Sequence, residues 1–205
     1  MASWCVSYAL DANGNTIVKT DGTGTTSYTW DYDNRLTQVT LPGSGGTVSY
    51  AYDPFGRRVR KVSNAGTSIY AYDSDNLIEE TNSAGAVVAR YTQDLGVDVP
   101  LAMLRSSTTS YYEQDGLGTI TSLSNAAGAL AQTYTFDSLG NQMASSGSLA
   151  NPFQFTGREF DGETMLYFMR ERYFDPASGR FISEDPIGFC WQWLQFLCVC
   201  WQQPN

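Results

Sequence analysis

Seven times along this chain a tyrosine stands three residues before an aspartate: Tyr8/Asp11, Tyr28/Asp31, Tyr50/Asp53, Tyr70/Asp73, Tyr91/Asp94, Tyr112/Asp115 and Tyr134/Asp137. Successive aspartates lie 20, 22, 20, 21, 21 and 22 residues apart, a regularity that marks a repeat protein rather than a domain of unrelated elements. Three residues after the aspartate comes Gly14, Asn34, Gly56, Asn76, Gly118 or Gly140, residue types that tolerate positive φ where a tight turn requires it. The Asp94 unit alone departs, with Gly96 one place early.

This pattern predicts an all-β chain. In Ser49-Tyr50-Ala51-Tyr52-Asp53-Pro54-Phe55-Gly56, tyrosines two apart share one face of a strand, and Asp-Pro-x-Gly is a turn. Tyr28/Trp30, Tyr70/Tyr72 and Tyr134/Phe136 repeat the aromatic pair. A second turn falls about midway through many units, at residues 42–46, 64–66, 82–85 and 125–128. Two turns per unit leave strands of ordinary length, so the expected architecture is an extended antiparallel β-meander that buries each unit on its neighbours. The six regular aspartates are expected at equivalent turns stacked along one edge, and the tyrosines in ladders across neighbouring strands, at roughly 0.2–1 kcal/mol per cross-strand pair.

Composition narrows the function. Charged residues make up 16% of the chain and the net charge is −9, which argues against nucleic-acid backbones and anionic membranes as partners. The one basic run, Arg57-Arg58-Val59-Arg60-Lys61, reads as a solvated strand face. The absence of histidine excludes Ser-His-Asp and Cys-His catalysis, His-ligated metals and histidine pH switching. No metal and no cofactor is expected. Cysteines stand at Cys5, Cys190, Cys198 and Cys200 and are lacking from residues 6 to 189, so the β body is expected to fold without disulfides. The opening residues have neither the charged start nor the apolar run of a signal peptide.

Beyond the seventh unit the chain reads Phe155-Thr156-Gly157-Arg158-Glu159, then Arg172-Tyr173-Phe174-Asp175-Pro176, Gly179-Arg180-Phe181 and Asp185-Pro186-Ile187-Gly188. In series these strongly resemble the Rhs-repeat-associated core, and the upstream units resemble its YD repeats. Met165 stands where that family usually has glycine, and Glu171 where alanine is common. The resemblance implies a curved shell wall over residues 1–150 and a core plug segment over 151–189. In such proteins the shell surrounds a toxin polypeptide, and the proteins are secreted or exposed at the cell surface. It also implies a self-cleaving site built from two aspartates of successive D-P-x-G motifs, of which Asp185 would be the first; the second is missing.

The tail suggests why. Residues 195–204, read one nucleotide ahead, give Asn-Phe-Tyr-Ala-Tyr-Val-Gly-Asn-Asn-Pro, close to the run that follows D-P-I-G in the family. Residues 190–205 are therefore expected to be an out-of-frame tail that the fold does not need. The leading expectation is a structural encapsulation fragment without its toxin, with open sheet edges able to self-associate. The alternatives are a self-cleaving aspartic protease and a carbohydrate- or protein-binding surface, the latter requiring an exposed row of tyrosines.

Overall fold

The computed structural model describes residues 6–186; Gly188 and the tail of residues 190–205 lie outside them. Fourteen strands follow in chain order, β1 (Ser7–Leu10), β2 (Thr16–Asp21), β3 (Gly24–Trp30), β4 (Leu36–Thr40), β5 (Thr47–Tyr52), β6 (Arg58–Ser63), β7 (Gly66–Asp73), β8 (Asn76–Asn82), β9 (Val87–Gln93), β10 (Pro100–Arg105), β11 (Thr108–Gln114), β12 (Ile120–Asn125), β13 (Leu130–Phe136) and β14 (Gln142–Gly147). Each pairs antiparallel with the next in one unbroken meander, so every signature tyrosine lies on an odd-numbered strand and every signature aspartate at the same edge of the sheet. A second sheet of four short strands, β15 (Glu159–Asp161), β16 (Leu166–Phe168), β17 (Tyr173–Asp175) and β18 (Arg180–Phe181), follows a short 3-10 turn at Phe155–Gly157.

The turns explain the signature. Asp53 Oδ1 accepts the backbone N–H groups of Phe55 and Arg57 at 2.9 and 3.0 Å, its carbonyl accepts from Gly56 N at 3.0 Å, and its own N–H donates to Arg57 O at 2.9 Å. Gly56 takes φ +82° to close the loop. Asp11, Asp31, Asp115 and Asp137 repeat the same four bonds, and a β-bulge falls just before each of these five aspartates. On the opposite edge Asn82 and Asn125 build the motif with an amide oxygen in place of the carboxylate.

Asp73 departs from the expected equivalence. Its turn is one residue shorter: Tyr72 pairs with Leu77, whereas Tyr52 pairs with Arg58. Asp73 thus stays in the strand opposite Asn76, and positive φ falls on Ser74 at +53° rather than on the residue three after the aspartate. The Asp94 turn is one residue longer, with Asp94 N donating to Val99 O at 2.9 Å and Asp98 at φ +63°.

The tyrosines do not form the expected ladders. Because they occupy alternate strands, each faces a different residue on the neighbouring strand: Val39 for Tyr28, Lys61 for Tyr50, Glu80 for Tyr70, Met103 for Tyr91 and Leu123 for Tyr112. The residue just before the aspartate carries the inter-unit link instead. Trp30 Nε1 donates to Thr16 O at 2.8 Å, Tyr52 OH to Leu36 O at 2.7 Å, Tyr72 OH to Arg58 O at 2.9 Å, Gln93 Nε2 to Leu77 O at 3.0 Å and Gln114 Nε2 to Pro100 O at 2.9 Å. Each bond reaches the start of the preceding strand, ties a unit to its predecessor and contributes about 1 kcal/mol.

The large sheet is curled around the small one. The four-stranded segment touches the first hairpin, where Thr16 N donates to Ile182 O at 2.8 Å and Lys19 Nζ meets Asp175 Oδ2 at 2.9 Å. It also touches the last, where Tyr167 OH donates to Gly140 O and Asn141 Nδ2 to Pro176 O, both at 3.0 Å. Two apolar cores result. One joins Tyr28, Leu36, Val39, Val48 and Tyr50 to Leu166, Phe168, Tyr173 and Ile182; the other gathers Tyr70, Leu77, Ala89, Tyr91, Met103, Ile120, Leu123 and Tyr134 around Phe153.

Candidate functional site

The seam between the curled sheet and residues 151–186 gathers the signature residues of both. Tyr50 lies 5.3 Å from Tyr173 between ring centroids, Tyr52 6.3 Å from Phe168, and Tyr91 and Tyr112 meet Phe153 edge-on at 5.1 and 6.0 Å. Tyr28, Tyr70 and Tyr134 are buried in the two cores, while Tyr8 is half-buried under Arg180, whose guanidinium lies 5.5 Å from its ring. Burial pushes the phenols of Tyr50, Tyr70, Tyr91 and Tyr112 upward, so they stay neutral and serve as apolar bodies with a polar tip.

Between the two cores sits Arg58. It belongs to the basic run expected to face solvent, but its side chain is 1% exposed. As the first residue of β6 it points inward, where Nη2 donates to Glu159 Oε2 at 2.7 Å and Nη1 donates to Asp161 Oδ2 and, at 3.3 Å, to Tyr173 OH. The guanidinium lies 4.6 Å from the centroid of Phe168, 5.3 Å from that of Tyr70 and 5.4 Å from that of Tyr50. Lys61 is also largely covered, meeting Asp161 at 3.1 Å and Glu163 at 3.0 Å. Of this run only Arg60 is fully solvent-facing; Arg57 is half-buried at the rim on Asp53. A buried cation is tolerable because the core segment supplies its anions.

The two carboxylates respond differently to burial. Burial tends to raise Asp161, but Arg58 and Lys61 together hold it below its ordinary value of 3.8. Burial raises Glu159 above 4.5 because Arg58 is its one neighbouring cation among the groups that act on it. Burial likewise tends to lower Arg58, and Asp161, Tyr173 and Glu159 more than offset it, so the guanidinium stays charged.

The remaining core-signature residues brace the seam. Gly157 takes φ +68°, and a Cβ there would lie 2.6 Å from the carbonyl oxygen of Asp98, so the backbones meet only over glycine. Arg158 pairs with Asp98 at 2.5 Å, and Arg170 reaches the same carboxylate at 2.9 Å. Asp175 is buried, with Oδ1 accepting Ala177 N at 3.0 Å, and its carbonyl accepts Gly179 N at 2.9 Å. Phe181 packs edge-on against Phe174 at 5.5 Å, with the Arg172 guanidinium 3.7 Å from its ring centroid.

Asp185 is exposed beside Pro186 and pairs with Arg172 at 2.9 Å. It borders a polar hollow of about 380 Å³ lined also by Asn15, Asp33, Arg35, Glu171, Ser183 and Glu184. Asp53 and Asp175, the other aspartates that precede proline on the described strands and turns, are engaged elsewhere, one at the rim and one on Lys19. No group of three or more acidic or thiol side chains able to hold a metal is found among the described residues.

The role of Arg58 was visible in the repeat had the units been aligned on their aspartates. Five residues after Asp11, Asp31, Asp53 and Asp115 stand Thr16, Leu36, Arg58 and Ile120, all buried, so Arg58 occupies an inward column that the sister units fill with other side chains.

Residues 3–194 match the teneurin YD-shell family. Over 186 residues the chain is 32% identical to the tRNA3(Ser)-specific nuclease WapA of Bacillus spizizenii, a stretch that covers 88% of this chain and 8% of that protein. Over 85 residues it is 33% identical to toxin protein Tse5 of Pseudomonas aeruginosa, covering 42% of this chain and 6% of the relative. Among solved structures, the Photorhabdus luminescens Tc holotoxin pore superposes with a TM-score of 0.69 at 19% identity, over 87% of this chain and 9% of that one. A TcdB2-TccC3-Cdc42 complex gives 0.63 at 16% identity, over 90% and 12%. The chain thus spans less than a tenth of the length of WapA. With the repeat, the curled meander and the seated core segment in agreement with this match, the chain belongs to the teneurin/Rhs YD-shell family.

Proposed function

We propose that this chain is a wall-and-plug segment of an Rhs-type toxin protein, in which residues 1–150 form part of a shell and 151–189 its stopper, enclosing a toxin polypeptide. The observation that carries this reading is the use of the tyrosines. Their rings are buried on one another's units and on the core segment rather than set out as an exposed row, which favours a packed wall over a sugar-binding face. The family relationship to toxin proteins supports the same reading.

Its partners are then further YD repeats, which would extend the sheet at β1, and the enclosed polypeptide. The setting is secreted or at the cell surface. The edge strands β1 and β14 close the order of the large sheet at either end, and β14 is exposed throughout. Unpaired strand edges of this kind favour self-association. A protease-protection assay tests the enclosure: a reporter polypeptide joined within a shell rebuilt from the full genomic reading frame should survive protease that destroys it free, and equal digestion would refute the reading.

The chain is proposed to be structural and not self-cleaving. A two-carboxylate site requires paired carboxylates close enough to share a proton, and Asp185 alone stands in a D-P-x-G of the core type, Asp53-Pro54-Phe55-Gly56 being a turn of the repeat. Mass spectrometry should find the full-length mass in both wild type and Asp185→Asn. Loss of the C-terminal end in wild type alone would establish the protease instead.

A further inference from the structure

We infer that Arg58 is the address at which the sheet receives the core segment: the inner face is a receptor for one acidic strand, and the charge code, not the repeat, fixes where that strand seats. Three features of the seam support this, and they hold whether or not a toxin is enclosed.

The repeat by itself is nearly degenerate. Units that differ by only one residue in turn length present similar inward faces, so an apolar strand could settle at more than one position along the trough. Arg58 breaks that degeneracy. In its column the other inward residues are Thr16, Leu36 and Ile120, and the corresponding first buried residues of the shorter and longer units are Leu77 and Pro100. None of these carries a charge.

The incoming strand is complementary in spacing. Glu159 and Asp161 are alternate residues of β15 and so share a face, and Glu163 follows in the turn that leaves the strand. They meet Arg58, Lys61 and Ser63 of β6 in order: Arg58 takes Glu159 and Asp161, Lys61 takes Asp161 and Glu163, and Ser63 Oγ donates to Glu163 at 2.9 Å. A slip of one residue would turn both strand acids, Glu159 and Asp161, to the other face. A slip of two would leave either a buried guanidinium or a buried carboxylate without its counter-charge, the situation proteins tolerate least.

The pocket is also shaped for a guanidinium. The planar fork spans two carboxylates while three aromatic faces enclose it, an arrangement that a lysine's single point charge cannot reproduce. The recognised partner is therefore defined chemically: an extended Glu-x-Asp strand flanked by aromatics, supplied here by the chain's own core segment.

Native-state hydrogen exchange on the full chain tests this. In Arg58→Met, the amides of Phe160, Phe168, Tyr173 and Phe174 should exchange at least 100-fold faster than in wild type, and their acceleration should exceed that of Met103 and Leu123 on the far half of the sheet by at least tenfold. Adding Glu159→Gln and Asp161→Asn should bring the core amides back by at least tenfold, because nothing charged is then left unpaired. Should Arg58→Met fail to fold, the comparison passes to Glu159→Gln/Asp161→Asn with and without Arg58→Met. The inference predicts that the triple variant is the better protected, since the double variant strands a buried cation. Equal acceleration over both halves, or a triple variant no better protected than the double, would overturn it.

Discussion

The two halves of the curled sheet hold the core segment by different physics. From β3 to β6 the inward side chains meet β16 and β17 directly, ring on ring, and end at the Arg58 hub with its two carboxylates. From β7 to β13 the inward side chains pack mainly on one another, and Phe153 caps them, with Phe155 against Phe136 at 6.0 Å at the far end. The far half meets the core segment through an apolar cap and, at its rim, through Asp98 on Arg158 and Arg170; the near half buries its charges and is a lock that accepts one register. A repeat therefore builds the wall, but a violation of the repeat positions what the wall contains.

Breaking the lock should cost most. Arg58→Met leaves Glu159 and Asp161 buried without their guanidinium and should destabilise the chain by about 3–5 kcal/mol in urea unfolding. Truncating the far cap, Phe153→Ala, removes an aromatic with edge-on partners in Tyr91 and Tyr112 and should cost about 3 kcal/mol. The distinction between the halves then lies in rescue: the Arg58 loss should be recovered in part by neutralising its acids, whereas the Phe153 loss should respond only to refilled volume.

Two smaller effects sharpen the comparison by probing the wall alone. Tyr72→Phe deletes one inter-unit bond, to Arg58 O, and should cost about 1 kcal/mol. Loss much above that value would mean the lock and the wall are coupled through the Arg58 carbonyl. Met165 holds φ +58°, in an exposed position where glycine costs nothing sterically. Met165→Gly should stabilise the chain by about 0.5–1 kcal/mol, the relief of left-handed strain less the entropy glycine adds to the unfolded chain. Thermal unfolding resolves both.

Much of the wall was legible because local chemistry determines it. An aspartate that accepts two backbone N–H groups and a residue free to adopt positive φ make the turn without help from the rest of the fold, and five units obey. The short Asp73 turn escaped because Asn76, equally suited to either role, was drawn into β8 by the pairing of Tyr72 with Leu77. The tyrosine ladders failed for a topological reason: two turns per unit put equivalent residues on alternate strands, out of cross-strand contact. Arg58 escaped for another. A cluster of basic residues is read as solvated unless its anions are known, and here they lie about a hundred residues downstream in sequence. The core signature motifs marked that segment without revealing that Glu159 serves as one of those anions.

The pH dependence of the Arg58 effect tests the lock most directly. In wild type, Asp161 has its pKa depressed, so its contribution is present above 3.8 and is lost as pH falls through its folded value. Glu159, with its pKa raised, opposes this and contributes only as it takes up a proton. Without Arg58 both acids should be raised, so the variant should gain stability as pH falls from 7 towards 4 and then lack the loss through Asp161 that the wild type suffers below. Urea unfolding of wild type and Arg58→Met across this range should therefore show a stability gap that is widest near pH 7 and shrinks by at least half by about pH 3. A gap that stays constant across the titration would show that Arg58 acts by packing alone and that the seam carries no charge code.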